Sequence, residues 1–200
     1  MDSPLPQRHY PRLKLAYFPM GWRSTPIRVA LKFVGIPFEF EQIPPKQWHG
    51  EKLGEDHARF PLGNIPVLYI DEVPMCESHA IYLYVGQLTG FWPTSPLDSG
   101  RALEVLLTLE LLGQSESPED RKFYLTRVND LIAANSYGLC AGGILSMSDL
   151  LAGMLFNYLT LGLLGGMPPE TAGDFPALKN LATSKLRVNA RLASLMDSES

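Results

Sequence analysis

Residues 63–81 of this 200-residue chain have the sequence GNIPVLYIDEVPMCESHAI. Two apolar runs, residues 65–70 and 73–76, flank a two-residue polar turn, and this pattern predicts a hairpin of two β-strands. Ser78 then precedes apolar residues at helical spacing, so a capped helix is expected directly after the hairpin. The stretch therefore predicts a ββα unit whose first strand opens on Pro66.

A βαβ unit is predicted upstream of that stretch. Residues 13–18 and 37–43 alternate between apolar and polar side chains and are predicted strands. Between them, Thr25 can cap a helix that has Pro26 in its first turn, and Gly35 is a typical C-terminal stop. A βαβ unit followed by a ββα unit is the element order of the thioredoxin-like fold.

The second half of the chain is predicted to be all-helical. Leucine-rich segments at helical spacing dominate there, and two prolines favour a linker over residues 91–100. We therefore expect a first domain over residues 1–90 and a helical domain over residues 101–200. The helices predicted in the second domain cover residues 101–112, 118–136, 147–161 and 177–196.

Composition and charge exclude several classes of protein. Hydrophobic residues make up 46% of the chain and charged residues 19%, which is enough apolar surface for a buried core and excludes a disordered or collagen-like protein. The 17 basic and 21 acidic residues give a formal net charge of −4, which repels phosphate backbones and anionic membrane surfaces. No nucleic-acid partner is expected.

The spacing of the cysteines and the N-terminal sequence indicate the cellular compartment. Cys76 and Cys140 have neither a CxxC nor a metal-ligand spacing, so neither a disulfide framework nor a metal site is expected. Residues 1–8 contain two prolines and lack the apolar run of a signal peptide. A cytoplasmic location is the resulting expectation.

One uncharged stretch, residues 150–167, approaches the length of a membrane-spanning helix. Asn157 and a cluster of glycines interrupt it, and Ser146 and Asp149 before it have the spacing of a capping box, which starts a soluble helix. We therefore predict a helix buried in the centre of the helical domain, and no membrane partner.

Four segments carry a resemblance to a known family. They are YFPMGWRSTPIR at residues 17–28, GNIPVL at 63–68, ESHAI at 77–81 and SMSD at 146–149. In this order and spacing they resemble the cytosolic glutathione transferases, over residues 13 to about 195. A tyrosine in the first strand, followed by an arginine before the first helix, is most similar to the tyrosine-type classes and nearest to the sigma class. The resemblance implies an α/β thioredoxin-like N-terminal domain, an all-α C-terminal domain and glutathione as co-substrate.

The resemblance makes Tyr17 the catalytic tyrosine and gives Arg23 a supporting role at the thiolate. A free thiol has a pKa of about 8.5 and is mostly protonated near neutral pH, whereas the thiolate is the nucleophile. A hydroxyl donor and a nearby cation stabilise the thiolate and lower that pKa. The alternatives are a core aromatic for Tyr17 and a solvated loop arginine for Arg23.

Five further residues are implied to bind the γ-glutamyl and cysteinyl parts of glutathione. Ser78, at a helix start, offers its hydroxyl and backbone N–H groups to the γ-glutamyl carboxylate, although N-capping explains this serine equally well. Glu77 is expected to accept from the ammonium group. Pro66, if cis, exposes the backbone of Ile65 to the cysteinyl amide, whereas a trans, purely structural proline is the alternative. Asn64 is expected to contribute mostly through its backbone.

Trp48 and Lys52 match positions that hold the glycyl carboxylate in the family. An indole N–H and an ammonium group are both hydrogen-bond donors, which suits a carboxylate. A surface aromatic and a solvated lysine are the alternatives.

The function expected from the resemblance is conjugation of the glutathione thiolate, activated by Tyr17, to apolar electrophilic small molecules. The electrophile pocket is expected between the domains, lined by residues 19–22 and by the helix beginning near Arg101. A homodimer is implied through the linker and the first two helices after it, and these helices look short, which predicts an open pocket. The alternatives are a non-catalytic glutathione-binding, ligand-binding or assembly module of the same fold, and a glutathione-dependent isomerase or peroxidase.

Overall fold

Residues 10–199 are described in a computed structural model; residues 1–9, on which the expectation about a signal peptide rests, and residue 200 lie outside that range. The strands are β1 (Leu13–Tyr17), β2 (Glu39–Gln42), β3 (Val67–Ile70) and β4 (Val73–Met75). The α-helices are α1 (Thr25–Val34), α2 (Pro45–Gly50), α3 (Ser78–Thr89), α4 (Pro96–Gln114), α5 (Pro118–Ala134), α6 (Met147–Thr160), α7 (Pro176–Thr183) and α8 (Ala190–Glu199). Short 3₁₀ turns lie at Leu53–Glu55, Pro169–Asp174 and Lys185–Arg187.

The sheet has the strand order β2-β1-β3-β4, with β1 parallel to β2 and the other pairs antiparallel. Leu15 in the centre of β1 pairs with Phe40 of β2 on one side and Leu68 of β3 on the other. The predicted hairpin is formed, and both of its turn residues have positive φ angles, 47° at Asp71 and 74° at Glu72. The predicted thioredoxin-like first half and helical second half are confirmed.

Helix α6 lies at the centre of the helical half, as predicted. Leu150 and Met154 are fully buried, and the capping box is present, with the Asp149 carboxylate accepting from the backbone of Ser146 at 2.8 Å. One continuous core joins α6 to the helices and strands of the first half. Within residues 10–199, no helix is both long and apolar enough to cross a membrane.

The predicted start of the first helix after the linker is wrong. Helix α4 begins at Pro96 rather than near residue 101, because Ser95 caps it by accepting from the backbone N–H of Asp98 at 3.4 Å. With 19 residues, α4 is seven residues longer than the 12-residue helix predicted over residues 101–112. The open pocket, which was predicted from short helices, and the division of the chain at residues 90 and 100 stay predictions.

Two further boundaries differ from the sequence patterns. The helix predicted over residues 177–196 is broken into α7 and α8, and Asn189 starts α8 by accepting from the backbone N–H groups of Arg191 at 3.0 Å and Leu192 at 3.2 Å. Thr25 is not the cap of α1, since it is the first helical residue and its hydroxyl donates to the backbone oxygen of Glu199 at 2.8 Å. That bond ties the end of α8 to the start of α1.

Candidate functional site

Tyr17 closes β1 and is almost completely buried, with 3% of its surface exposed. Burial raises the pKa of its phenol, and the Arg23 guanidinium beside it lowers that pKa only in part. The phenol is therefore protonated at neutral pH, so that it is available as a hydrogen-bond donor next to a cation.

Arg23, in the loop between β1 and α1, is held from the helical half. Its Nε donates to Oε2 of Glu110 at 3.1 Å, and a second guanidinium nitrogen donates to Oε1 of the same carboxylate. Burial disfavours the charged form of each partner. The hydrogen bonds and charge attraction between the two outweigh burial, so that the pKa of Arg23 is raised and the pKa of Glu110 is lowered. Gln114, one turn along α4, donates to Oε1 of Glu110 at 3.0 Å. Arg23 is thus a permanent cation in a fixed position.

A pocket of about 510 Å³, which we call the α3 pocket, opens beside this ion pair. It brings together six of the predicted site residues and three that were not predicted. The predicted ones are Arg23, Asn64, Ile65, Pro66, Glu77 and Ser78, and the others are His79, Glu110 and Gln114. The peptide bond between Ile65 and Pro66 is cis, as the resemblance implies.

The first turn of α3 forms one wall of the α3 pocket. Ser78 is the first helical residue and not the cap, contrary to the sequence pattern, and no side chain caps this helix. Glu77 occupies the N-cap position at a φ of 69°, which turns the chain sharply from the sheet into the helix. An uncapped helix N-terminus offers backbone N–H groups and a positive potential to an anion, and the Glu77 carboxylate beside it suits an ammonium group.

Tyr17, Trp48 and Lys52 do not line the α3 pocket. Tyr17 forms a hydrogen bond with Arg23, which does line the pocket. The Trp48 ring packs edge-on against Phe60, with ring centroids 5.0 Å apart. Lys52 is largely exposed and pairs with Glu55 at 3.3 Å. The roles predicted for these three residues stay predictions.

A second space of about 640 Å³, which we call the α8 cavity, lies between the β1–α1 loop, α6 and α8. Its lining from the loop is Pro19, Met20 and Gly21, and the rest comes from α6, the turn after it, Arg28, Arg187 and the end of α8. Of the lining expected for the electrophile pocket, residues 19–21 line this cavity, whereas Trp22 and the start of α4 do not, and the electrophile pocket stays a prediction.

The charges of the α8 cavity are paired with each other. Arg28 lies 2.7 Å from the Glu199 carboxylate, and Arg187 lies 2.6 Å from that of Asp197. The cavity therefore presents paired charges and polar groups such as Asn157 and Thr160 beside apolar surface that includes Met20 and Leu161. Such a mixed surface without unpaired charge suits an uncharged molecule.

His79 was missed although it directly follows the predicted Ser78 at the start of α3. Glu110 and Gln114 were missed because no local pattern marks them. Glu110 and Gln114 lie four residues apart on one face of α4, a spacing shared by any pair of polar surface residues on a helix. Only the packing of α4 against the β1–α1 loop makes them part of the site.

Comparison with known proteins is consistent with this geometry. The family model "Glutathione S-transferase, N-terminal domain" matches residues 11–87. Probable glutathione S-transferase 7 of Caenorhabditis elegans is 32% identical over 82 residues, which are 41% of this chain and 36% of that protein. Hematopoietic prostaglandin D synthase of Gallus gallus is 26% identical over 100 residues, which are 50% of this chain and 48% of that protein. The chain thus spans less than half the length of these two curated relatives.

A solved structure extends the likeness to the whole fold. The crystal structure of a nematode-specific glutathione S-transferase of Caenorhabditis elegans superposes with a TM-score of 0.80, covering 95% of this chain and 98% of that one at 16% sequence identity.

Proposed function

We propose that the protein is a tyrosine-type glutathione transferase, nearest to the sigma class, because residues 11–87 match the family model of the glutathione S-transferase N-terminal domain and the chain has the fold of a solved glutathione S-transferase. It takes glutathione as co-substrate and conjugates it to apolar electrophilic small molecules. The observation that supports this best is the α3 pocket, where an uncapped helix N-terminus and a fixed arginine beside a buried tyrosine face one space.

Each group of glutathione has a counterpart in the proposal. The γ-glutamyl carboxylate binds Ser78 and the backbone N–H groups of α3, and the ammonium group binds the Glu77 carboxylate. The backbone of Ile65, after Asn64 and before Pro66, pairs with the cysteinyl amide as an added strand does.

The glycyl carboxylate is assigned to Trp48 and Lys52, which lie outside the lining of the α3 pocket. Lys52 is 71% exposed and reaches the carboxylate by giving up its contact with Glu55.

Tyr17 and Arg23 act on the sulfur. The thiol proton leaves to solvent, the Tyr17 hydroxyl donates a hydrogen bond to the resulting thiolate, and Arg23 stabilises its negative charge. Lowering the thiol pKa by two units requires about 2.7 kcal/mol of preferential stabilisation of the thiolate. The thiolate then attacks the electrophilic carbon, a C–S bond forms, and a leaving group such as chloride departs with its bonding electrons.

Conjugation of chlorodinitrobenzene, measured beside Tyr17→Phe, tests the proposal. Because one charge-assisted hydrogen bond is lost, kcat/KM should fall about 10- to 100-fold while the affinity for glutathione in calorimetry changes little. Tyr137→Phe, at an exposed tyrosine outside both spaces, is the matched control and should leave the rate unchanged. Glutathione binding with no rate that depends on Tyr17 would favour the non-catalytic binding module instead.

A glutathione-dependent isomerase or peroxidase is the second candidate, and the similarity to a hematopoietic prostaglandin D synthase favours it. Both activities use the same thiolate. Glutathione oxidation driven by an organic hydroperoxide, with no conjugation of chlorodinitrobenzene, would identify a peroxidase.

We propose a homodimer as the assembly, detoxification of electrophiles as the role, and the cytoplasm as the location. On α4, Leu103, Leu107 and Leu111 are 38%, 47% and 49% exposed at four-residue spacing, which forms an apolar stripe on one face. Both cysteines are free thiols, which suits a reducing compartment.

A further inference from the structure

Trp22 lies between two residues that line different spaces. Gly21 before it lines the α8 cavity, and Arg23 after it lines the α3 pocket. The φ angle of Trp22 is 87°, a left-handed conformation that favours glycine and is strained for a bulky side chain. Contacts of the indole must therefore hold this residue in place.

The indole packs against α4. A Cβ built on Gly113 would lie only 2.7 Å from Cζ2 of Trp22, so this approach exists because residue 113 has no side chain. Gly113 adjoins Gln114, and both Gln114 and Glu110 line the α3 pocket. The indole thus covers the helix surface directly beside that pocket.

Another side of the indole meets α6. The centroids of the Trp22 and Tyr158 rings are 6.0 Å apart, and Tyr158 lines the α8 cavity. Tyr158 also fixes the loop from the other side, because a Cβ on Gly21 would lie 2.6 Å from the Tyr158 hydroxyl. Trp22 itself lines neither space, and its indole lies between Gly113 of α4, next to the residues that line the α3 pocket, and Tyr158 of α6, which lines the α8 cavity.

We propose that Trp22 is a specificity-determining residue whose indole separates the α3 pocket from the α8 cavity and limits the size of the group that can reach from one to the other. This inference rests on the proposed function. The sulfur and the electrophilic carbon must approach to about 3–3.5 Å for reaction, so a long substituent on either partner has to pass the indole to enter the α8 cavity. Compact electrophiles fit on the sulfur side of the indole, and long apolar ones are excluded.

S-methylglutathione and S-hexylglutathione test this without any turnover. In the wild-type protein, calorimetry should give dissociation constants for the two ligands within about threefold of each other, because the indole blocks the alkyl chain. In Trp22→Gly, each methylene that enters the α8 cavity should strengthen binding about fourfold. S-hexylglutathione should therefore bind at least about tenfold more tightly than S-methylglutathione. Glycine suits a φ of 87°, so this substitution keeps the loop backbone.

Two variants complete the test. Trp22→Phe keeps a smaller ring against Gly113 and should give an intermediate ratio, which provides an answer even if Trp22→Gly does not fold. Phe123→Ala, which removes an aromatic ring that is 59% exposed on α5, is the matched control and should keep the wild-type ratio.

Two results would overturn the proposal. If the ratio of the dissociation constants for the methyl and hexyl ligands is the same in the wild type and in both Trp22 variants, and glutathione still binds, then Trp22 does not limit access to the α8 cavity. The proposed function is not affected by that result. Failure of the wild type to bind glutathione removes the proposed function, and the role of Trp22 with it.

Discussion

Arg23 and Glu110 have the most consequential single contact at the site, because they join the β1–α1 loop to α4. The side chains are 31% and 19% exposed, so solvent screens the pair less than it screens a surface ion pair. Both guanidinium contacts go to one carboxylate, which fixes the orientation of Arg23 as well as its charge.

The pKa of Glu110 gives this pair a pH dependence of known sign. Arg23 lowers the pKa of Glu110 in the folded protein below its ordinary value, despite burial. A carboxyl group of this kind stabilises the fold above its unfolded pKa, about 4.3, and this contribution is lost as the pH falls through the folded value. Glu110→Gln should therefore lower the free energy of unfolding at pH 7 by about 1–2 kcal/mol, and this deficit should shrink as the pH falls below about 4.

Urea denaturation at pH 7, 5 and 3.5 measures this difference. Glu104→Gln is the control, since Glu104 pairs with Arg101 on the same helix and both side chains are well exposed. A constant deficit for Glu110→Gln across this pH range would show that the ion pair does not contribute through charge.

At the scale of elements, α6 depends on its N-terminal capping box. The Asp149 carboxylate accepts from the backbone N–H of Cys140 at 2.7 Å, and from the backbone N–H and the hydroxyl of Ser146 at 2.8 and 2.6 Å. All of these groups are buried. Asp149 therefore satisfies donors from the loop before the helix as well as from the helix start.

Asp149→Ala should destabilise the protein by about 3 kcal/mol. The substitution removes the cap and leaves the buried backbone N–H groups of Cys140 and Ser146 without acceptors, each at a cost of about 1–3 kcal/mol. Ser117→Ala, at the exposed cap of α5, is the matched comparison and should cost only about 1 kcal/mol. Equal losses in thermal or chemical denaturation would contradict the special role of the buried box.

The sequence predicts best those features that are encoded by residues close together in the chain. The capping box of α6 and the hairpin after Pro66 are encoded within a few residues, and both were predicted. The start of α4 was missed although Ser95 and Pro96 carry a local signal for a helix start, because Pro93 and Pro96 together also fit a linker. The break at Asn189 was missed because apolar spacing continues across it.

At the site, too, the predicted residues are those marked by short sequence motifs, and the residues that were missed depend on contacts between distant parts of the chain. The predicted residues of the α3 pocket lie in short motifs of the first half of the chain. Glu110 and Gly113 belong to the site only through contacts with Arg23 and Trp22, which are 87 and 91 residues away by sequence number. Contacts over such separations have no local pattern.

At the scale of the whole molecule, α4 has one face in the core and another exposed. Leu106 and Leu109 are buried, whereas the apolar stripe of Leu103, Leu107 and Leu111 faces outward. Burying such a stripe against a second copy removes apolar surface from water, and a stable interface buries about 800 Å² on each partner. The stripe is on the helix that carries Glu110, so an interface there would also brace the ion pair with Arg23.

Leu107→Glu tests this interface, because it places a charge at the centre of the stripe. We expect the wild type to sediment as a dimer at about 10 μM and the variant as a monomer, since an unpaired charge buried in an apolar interface costs several kcal/mol. Val188→Glu, at a residue that is 85% exposed before α8, is the control and should stay dimeric. A monomeric wild type, or a dimeric Leu107→Glu variant, would exclude the α4 stripe as the interface. If Leu107→Glu is monomeric and also weakens the pH-dependent stability assigned to Glu110, then the dimer contact and the site are coupled through α4.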